Sequence, residues 1–194
     1  MTKYIIVGGY ASKTEDGGKG YCEELIEGFE EPIKILDTMF ARPKENWDET
    51  LEKDKNFFEQ CLPGKKLEIQ PADPKRFIEQ VKWANVISLR GGEDEPLLEQ
   101  LKSNKGWEEL LDGKTLAGSS AGAHAISKYY YQLDGSNKFS EGLGLLPVKV
   151  IVHYRSDYNA SNIDWDDADR EAKNYKEDIE TVPLREGEFK VFKI

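Results

Sequence analysis

Cysteine and histidine are scarce in this 194-residue sequence, which contains two of each. The two cysteines, Cys22 and Cys61, are too few and too far apart for a disulfide framework or a zinc site, so we expect no bound metal. The sequence also has no apolar run near the roughly 18 residues that a membrane-spanning helix needs. We therefore expect a protein of the reducing cytoplasm with no membrane partner.

Clusters of basic residues are also missing. The formal net charge is −10 and the isoelectric point is about 4.9, with 27 Lys and Arg against 37 Asp and Glu. Because nucleic-acid binding needs clustered Lys and Arg to contact phosphates, we expect no nucleic-acid partner. Hydrophobic residues make up 38% and charged residues 33%, as in globular proteins, and the length predicts one domain over residues 1–194.

Short apolar runs alternate with amphipathic segments along the chain. The pattern predicts strands at 4–8, 33–38, 67–70, 86–89, 115–118 and 148–152, and a pair of strands within 180–193. It predicts helices at 20–29, 45–61, 73–84, 95–102, 107–111, 121–128 and 164–174, whereas residues 129–144 fit neither pattern. Such alternation is typical of an α/β protein with a mainly parallel central sheet flanked by helices.

A tight turn between a predicted strand and a predicted helix has the sequence Gly118-Ser119-Ser120-Ala121-Gly122. It fits the G-x-S-x-G pattern, in which small residues two positions on either side of a serine let the backbone turn sharply and expose the hydroxyl. The amide after the serine is then free, at a helix N-terminus, to stabilise an oxyanion. The pattern therefore predicts that Ser120 is a nucleophile.

A serine nucleophile needs a general base, and the sequence offers two histidines. His124 lies on the helix that follows Ser120, beside the hydroxyl rather than across from it, so we expect it on the helix surface or in the pocket wall. His153 follows the apolar run Val148–Val152 at the C-terminal end of a strand, where α/β folds collect active-site residues. We therefore predict that His153 is the base.

The third member of such a triad is a carboxylate that orients the imidazole. An α/β-hydrolase would place it between the serine and the histidine, at Asp134 or Glu141. The chain is short for that fold, and no predicted strand carries either residue. Acidic residues later in the chain include Asp164, Asp166, Asp167 and Glu186. The residue pattern alone does not choose among them.

Four stretches of the sequence resemble the peptidase E (aspartyl dipeptidase) group of serine peptidases, which have a class I glutamine amidotransferase-like fold. They are Val86-Ile-Ser-Leu-Arg-Gly91-Gly92 with Leu97-Leu98, Leu116-Ala-Gly118-Ser-Ser120-Ala-Gly122-Ala123, Gly142-Leu-Gly-Leu-Leu-Pro147 leading to His153, and Leu184-Arg-Glu186-Gly187. Together they span residues 86–194, and the alternation before them is compatible with the same fold.

The resemblance implies catalytic roles for five positions. Ser120 would be the nucleophile and His153 the base. Glu186 would orient the imidazole, because the family's acid lies in a similar Glu-Gly turn. The backbone amides of Gly92 and Ala121 would form the oxyanion hole. A site of this kind needs no metal or other cofactor.

Four further positions bear on substrate binding. The family usually has Asn or Asp where Glu93 stands, and often Asn or another small polar residue where His124 stands, so both positions are departures within the expected site. In aspartyl dipeptidases a basic residue after the histidine meets the acidic side chain of the substrate. Arg170 and Arg155 are the candidates for that role here.

The sequence thus predicts a serine peptidase of the peptidase E type, a monomer or a homodimer, that cleaves short peptides such as those with an N-terminal Asp. Two other hypotheses fit the same residues. One is an amidase or esterase that acts on a non-peptide acyl group, and the other is an inactive binding module on the same fold. A substrate panel and a serine-directed probe distinguish the three.

Overall fold

The computed structural model describes residues 1–136, 138–156 and 163–194. The strands are β1 (Lys3–Val7), β2 (Ile33–Thr38), β3 (Leu67–Pro71), β4 (Val86–Leu89), β5 (Thr115–Ser119), β6 (Ser127–Tyr131), β7 (Phe139–Glu141), β8 (Leu146–Ile151), β9 (Thr181–Pro183) and β10 (Phe189–Lys193). The helices are α1 (Lys19–Ile26), α2 (Trp47–Cys61), α3 (Phe77–Trp83), α4 (Asp94–Ser103), α5 (Ala121–Ile126) and α6 (Trp165–Asn174). None of these helices is long and apolar enough to cross a membrane.

A six-stranded sheet in the order β10-β1-β5-β4-β2-β3 forms the centre of the molecule. All its neighbouring strands are parallel except β10, which is antiparallel to β1 at the edge. Parallel strands are covered on both faces, which explains why the buried part of β1, residues 4–7, is apolar throughout. The predicted α/β fold with a mainly parallel central sheet is therefore confirmed.

The alternating side chains of β1 separate the two faces of this sheet. Ile5 and Val7 belong to a core that α1 and α2 cover, whereas Tyr4 and Ile6 belong to a second core beneath α3, α4 and α5. Helices therefore lie on both faces, as the sequence pattern predicts. The carboxyl ends of the parallel strands all open toward one edge, between these two layers.

A second sheet in the order β7-β6-β8-β9 packs on the side of α5. The prediction of a helix over 121–128 was wrong at its C-terminal end, because α5 stops at Ile126 and β6 begins at Ser127. The reason is the run of three tyrosines at 129–131, which favours a strand and pairs with both β7 and β8. This pairing also places residues 129–131 and 139–141 in strands, within the stretch that fitted neither pattern.

The two C-terminal strands lie in different sheets rather than pairing with each other. β9 is parallel to β8 in the second sheet, whereas β10 lies beside β1 in the central sheet. The connection over residues 184–188 therefore crosses from one sheet to the other, and it carries Glu186. The predicted helix at 107–111 is only a 3-10 turn, Glu108–Leu110.

Candidate active site

Ser120 occupies a strained turn between β5 and α5. Its backbone has φ 53° and ψ −114°, a conformation that non-glycine residues rarely adopt. Such strain persists only where the surrounding structure enforces it, and it is common at functional sites. The turn directs Ser120 to the carboxyl ends of the parallel strands.

Close backbone packing explains the two glycines that flank this turn. A Cβ atom on Gly118 would lie 2.3 Å from the Gly122 carbonyl group, and one on Gly122 would lie 2.2 Å from the Leu89 oxygen at the end of β4. Both distances are shorter than any normal contact, so no side chain fits at either position. This is the physical constraint that the G-x-S-x-G pattern expresses.

His153 reaches Ser120 from the second sheet. It follows β8, and its Nε2 atom lies 3.1 Å from Ser120 Oγ. The ring packs on the glycine-rich segment after β1, since a Cβ atom on Gly9 would lie 2.2 Å from the His153 ring. The His153 amide donates to the Gly8 carbonyl oxygen over 2.8 Å, which fixes the backbone across from the turn.

Glu186 lies on the other side of the imidazole. Its Oε1 atom is 3.3 Å from His153 Nδ1 and accepts a hydrogen bond from Ser156 Oγ over 2.9 Å. Its Oε2 atom accepts from Lys13 Nζ over 3.1 Å. Burial alone would raise the pKa of Glu186, but the bonds from Ser156, Lys13 and His153 outweigh it and lower the pKa below its usual value. Glu186 is therefore ionised at neutral pH.

Burial controls the protonation of His153. The residue is 3% exposed, and its removal from water lowers the pKa below its usual value, although Glu186 acts in the opposite direction. The imidazole is therefore neutral at pH 7, with a lone pair available to accept a proton. A carboxylate on Nδ1 directs that lone pair to Nε2, which faces Ser120.

Two backbone segments meet at Ser120. Ala121 is the first residue of α5, where amide groups have no partner within the helix. The Gly91-Gly92 segment after β4 packs against the turn, since a Cβ atom on Gly91 would lie 2.9 Å from Ser120 Cβ. The amides of Gly92 and Ala121 thus belong to the two backbone segments that border the hydroxyl.

His124 lies in the pocket wall and not on the helix surface. It is 4% exposed, its Nδ1 atom is 2.8 Å from Asp94 Oδ1, and its ring stacks on Tyr130 with 4.3 Å between ring centroids. Of the two locations that the sequence left open, the structure therefore selects the wall.

Ser120 and His153 line a cavity of about 640 Å³. Sequence reasoning missed five charged residues that line it, namely Arg42, Lys53, Asp54, Arg90 and Asp94. Arg90 directly follows β4, and Arg42 lies four residues after the end of β2, so charges that follow buried strands were the available signal. The carboxyl ends of neighbouring parallel strands converge, which brings both arginines to the site.

Asp37 and Asp54 are two buried carboxyl groups near the cavity. Arg90 Nη1 donates to Asp54 Oδ1, and both of these residues line the cavity. Asp37, at the end of β2, is fully buried, and burial followed by the Asp54 charge raises the pKa of Asp37 well above its usual value. Burial also raises the pKa of Asp54, although the Arg90 charge opposes this, so Asp54 is the carboxyl of the two that pairs with Arg90.

Three other predicted substrate-binding residues are not among those that line the cavity. Arg155 pairs with Asp166 and Asp169 of α6, and Arg170 pairs with Asp167 on the same helix. Glu93 is exposed at the start of α4. Among the described residues, no three His, Cys, Asp or Glu side chains are grouped so that they could hold a metal ion.

The chain matches one family model and is similar to solved structures. The model of peptidase family S51 matches residues 39–191, more than half of the chain. A peptidase from an acI-B1 Actinobacterium has a similar structure, with a TM-score of 0.69 and 23% identity over 100% of this chain and 84% of that one. A peptidase E protein from Listeria monocytogenes EGD-e gives a TM-score of 0.63 and 15% identity over 100% and 99%. No curated protein matches the sequence.

Proposed function

Because the chain belongs to peptidase family S51, we propose that it is a serine peptidase that cleaves short peptides with Ser120 as nucleophile. The proposal rests on two hydrogen-bond contacts of the His153 ring. Its Nε2 atom lies 3.1 Å from Ser120 Oγ, and its Nδ1 atom lies 3.3 Å from Glu186 Oε1. A hydroxyl, a base and an orienting carboxylate in this order form the arrangement that activates a serine.

The proposed reaction begins when Ser120 Oγ attacks the carbonyl carbon of the scissile peptide bond. His153 Nε2 accepts the hydroxyl proton, which it can do because burial keeps the imidazole neutral. The resulting imidazolium is stabilised by the ionised Glu186. The amides of Gly92 and Ala121 are the proposed donors to the oxyanion.

Collapse of the tetrahedral intermediate then breaks the peptide bond. His153 returns its proton to the leaving amine, and an acyl group remains on Ser120. Water attacks that ester with His153 again as base, and the second product leaves.

The cavity supports a short substrate with an acidic group. Its volume of about 640 Å³ is in the range of sites for small molecules rather than long chains. Arg42 and Arg90 line one wall, so we propose that these residues, rather than Arg155 or Arg170, meet an acidic side chain such as that of an N-terminal Asp. His124 lines the cavity as well, whereas Glu93 remains a proposed contact from the rim.

Hydrolysis of a dipeptide panel tests this proposal. The panel contains Asp-Leu, Glu-Leu, Ala-Leu and Leu-Asp, and the proteins are wild type, Ser120→Ala and the control Ser103→Ala, whose hydroxyl is exposed at the end of α4. We expect cleavage of Asp-Leu by wild type and Ser103→Ala, and a loss of several orders of magnitude in Ser120→Ala. Full activity of Ser120→Ala would overturn the proposal.

The remaining outcomes separate the other hypotheses. If no dipeptide is cleaved but a fluorophosphonate labels Ser120, the substrate is a non-peptide acyl compound. A folded protein that neither cleaves nor reacts is a binding module.

A further inference from the structure

Arg42 contacts the backbone segment that lies beside the nucleophile. Its Nε atom donates a hydrogen bond to the carbonyl oxygen of Gly91 over 2.6 Å. Gly91 packs directly against Ser120, because a Cβ atom on Gly91 would lie 2.9 Å from Ser120 Cβ. The Gly91 carbonyl and the Gly92 amide belong to one peptide group, and that amide is a proposed donor to the oxyanion. Arg42 therefore bonds one end of the peptide group whose other end would act in the reaction.

The bond from Arg42 controls the direction of the Gly92 amide. A peptide group outside proline is planar and almost always trans, so its C=O and N–H bonds point in opposite directions. When the Gly91 carbonyl is held toward the guanidinium, the Gly92 N–H is directed to the other side of the peptide. Loss of the bond would leave both groups free to turn together.

Glycine on both sides makes this peptide group easy to rotate. A peptide group turns about the ψ angle of the residue before it and the φ angle of the residue after it, and glycine has no Cβ atom that opposes either rotation. Close packing requires these glycines, since a Cβ atom on Gly92 would lie 2.1 Å from the Ala41 oxygen. The residues that let the backbone approach Ser120 therefore define its orientation weakly, and a side-chain hydrogen bond can decide it.

The Gly92 amide is unoccupied, whereas two amides close to it are bonded. The Arg90 amide donates to the Thr38 carbonyl oxygen over 3.0 Å. The Glu93 amide donates to the Ala41 carbonyl oxygen over 2.9 Å. Between them, the Gly92 amide has no hydrogen-bond partner among the described residues. Backbone amides are strong donors, so this one is available to an oxygen atom of a ligand.

The backbone of Arg42 is itself held in place. Its amide donates to the Met39 carbonyl oxygen over 2.9 Å, and its carbonyl oxygen accepts from Trp47 Nε1 over 3.0 Å at the start of α2. The two terminal nitrogens of the guanidinium have no hydrogen-bond or ion-pair partner in the part of the chain that the structure describes. Nε can therefore hold the Gly91 carbonyl while Nη1 and Nη2 meet an acidic side chain of the substrate.

We propose that Arg42 is a positioning residue for the oxyanion hole. Its Nε–H group holds the Gly91 carbonyl, which keeps the Gly92 amide directed at the place where the oxyanion forms. The inference rests on the proposed serine peptidase function and adds a role for Arg42 that depends on neither its charge nor the side chain of the substrate. Because negative charge develops on the oxygen only in the transition state, this role affects the rate of reaction rather than the binding of the ground state.

Two neutral substitutions separate the hydrogen bond from the charge. Arg42→Gln places an amide nitrogen the same number of bonds from the backbone as Nε, so it keeps a donor for the Gly91 carbonyl. Arg42→Met has a methyl group at that position and no donor. Both variants lack the positive charge and the terminal nitrogens. Arg76→Met, in which an exposed arginine at the start of α3 is lost, is the matched control.

The rate at which an alkyl fluorophosphonate labels Ser120 tests this role. Ser120 Oγ displaces fluoride from phosphorus while the phosphoryl oxygen occupies the oxyanion hole, and the reagent has no acidic group for Arg42 to bind. We expect the maximal rate at saturating reagent to fall about 10- to 100-fold in Arg42→Met and to stay within about threefold of wild type in Arg42→Gln. Arg76→Met should react at the wild-type rate. Because the Arg42 side chain is exposed, we expect all the variants to unfold at about the wild-type temperature.

Two results would overturn the role of Arg42 and leave the proposed function intact. One is an equal rate in Arg42→Met and wild type. The other is an equal loss in Arg42→Met and Arg42→Gln, which would assign the effect to the charge and not to the hydrogen bond. A folded wild-type protein that is not labelled at Ser120 would instead overturn the proposed function, and this role with it.

Discussion

At the scale of single residues, the proposed chemistry depends on how Glu186 holds the His153 ring. Glu186→Gln keeps the shape of the side chain but removes the charge that stabilises the imidazolium, so we expect kcat/KM to fall by about 10²- to 10⁴-fold. Steady-state hydrolysis of the best dipeptide measures the loss. Glu188→Gln, an exposed neighbour that bonds the Arg185 amide, is the matched control and should change kcat/KM less than about twofold. Equal losses in both variants would contradict the role of Glu186.

The pH dependence of kcat/KM also depends on a single residue, His153. The base must be neutral to accept a proton, so activity is present above the pKa of His153 and lost as the pH falls through it. Burial lowers that pKa, which places the acidic limb below about pH 6.5, the usual value for histidine. A rate profile from about pH 4 to pH 8 shows the limb. A midpoint near pH 7.5 would contradict the assignment.

At the scale of elements, the turn between β5 and α5 holds the nucleophile through backbone contacts with β4. Gly122→Ala would place a Cβ atom 2.2 Å from the Leu89 oxygen, so we expect a destabilisation of about 1–3 kcal/mol or more and loss of activity. Gly28→Ala, whose Cβ atom would meet nothing within 4 Å, should cost only about 1–2 kcal/mol for its positive φ. Urea unfolding compares the two, and a smaller loss in Gly122→Ala would contradict the contact.

The same scale shows how far the sequence predicts the structure. Local features succeed where they reflect backbone geometry: the small residues around Ser120 predicted the strand, the turn and the helix start. The predicted end of α5 was wrong because the tyrosine run at 129–131 pairs with β7 and β8 and therefore forms a strand.

The positions of the two arginines in the cavity cannot be predicted without the order of the strands in the central sheet. Arg42 and Arg90 are 48 positions apart in the sequence and meet only because β2 and β4 are neighbours. The location of Glu186 beside His153 depends in the same way on the crossing between sheets, which no local pattern contains. Arg155 and Arg170 had the right charge, but the aspartates of α6 pair with them.

At the scale of the whole molecule, the net charge of −10 works against the compact state. Salt screens such repulsion, since the Debye length falls from about 30 Å at 0.01 M to about 8 Å at 0.15 M. We expect the added salt to stabilise the fold by about 1 kcal/mol, which raises Tm by about 2–4 °C for a chain of this size. Calorimetry at the two salt concentrations measures the shift. A lower Tm in salt would show that attractive ion pairs outweigh the net repulsion.

Covalent labelling with a fluorophosphonate tests directly whether Ser120 is an activated nucleophile, because it needs no knowledge of the substrate. The reagent is added to wild type, Ser120→Ala and His153→Ala, and the modified residue is located by peptide mass spectrometry. We expect one label, on Ser120 in wild type, none there in Ser120→Ala, and labelling slowed by about 10²-fold or more in His153→Ala. A folded wild-type protein that stays unlabelled, or that is labelled equally fast without His153, would contradict the claim that Ser120 is an activated nucleophile.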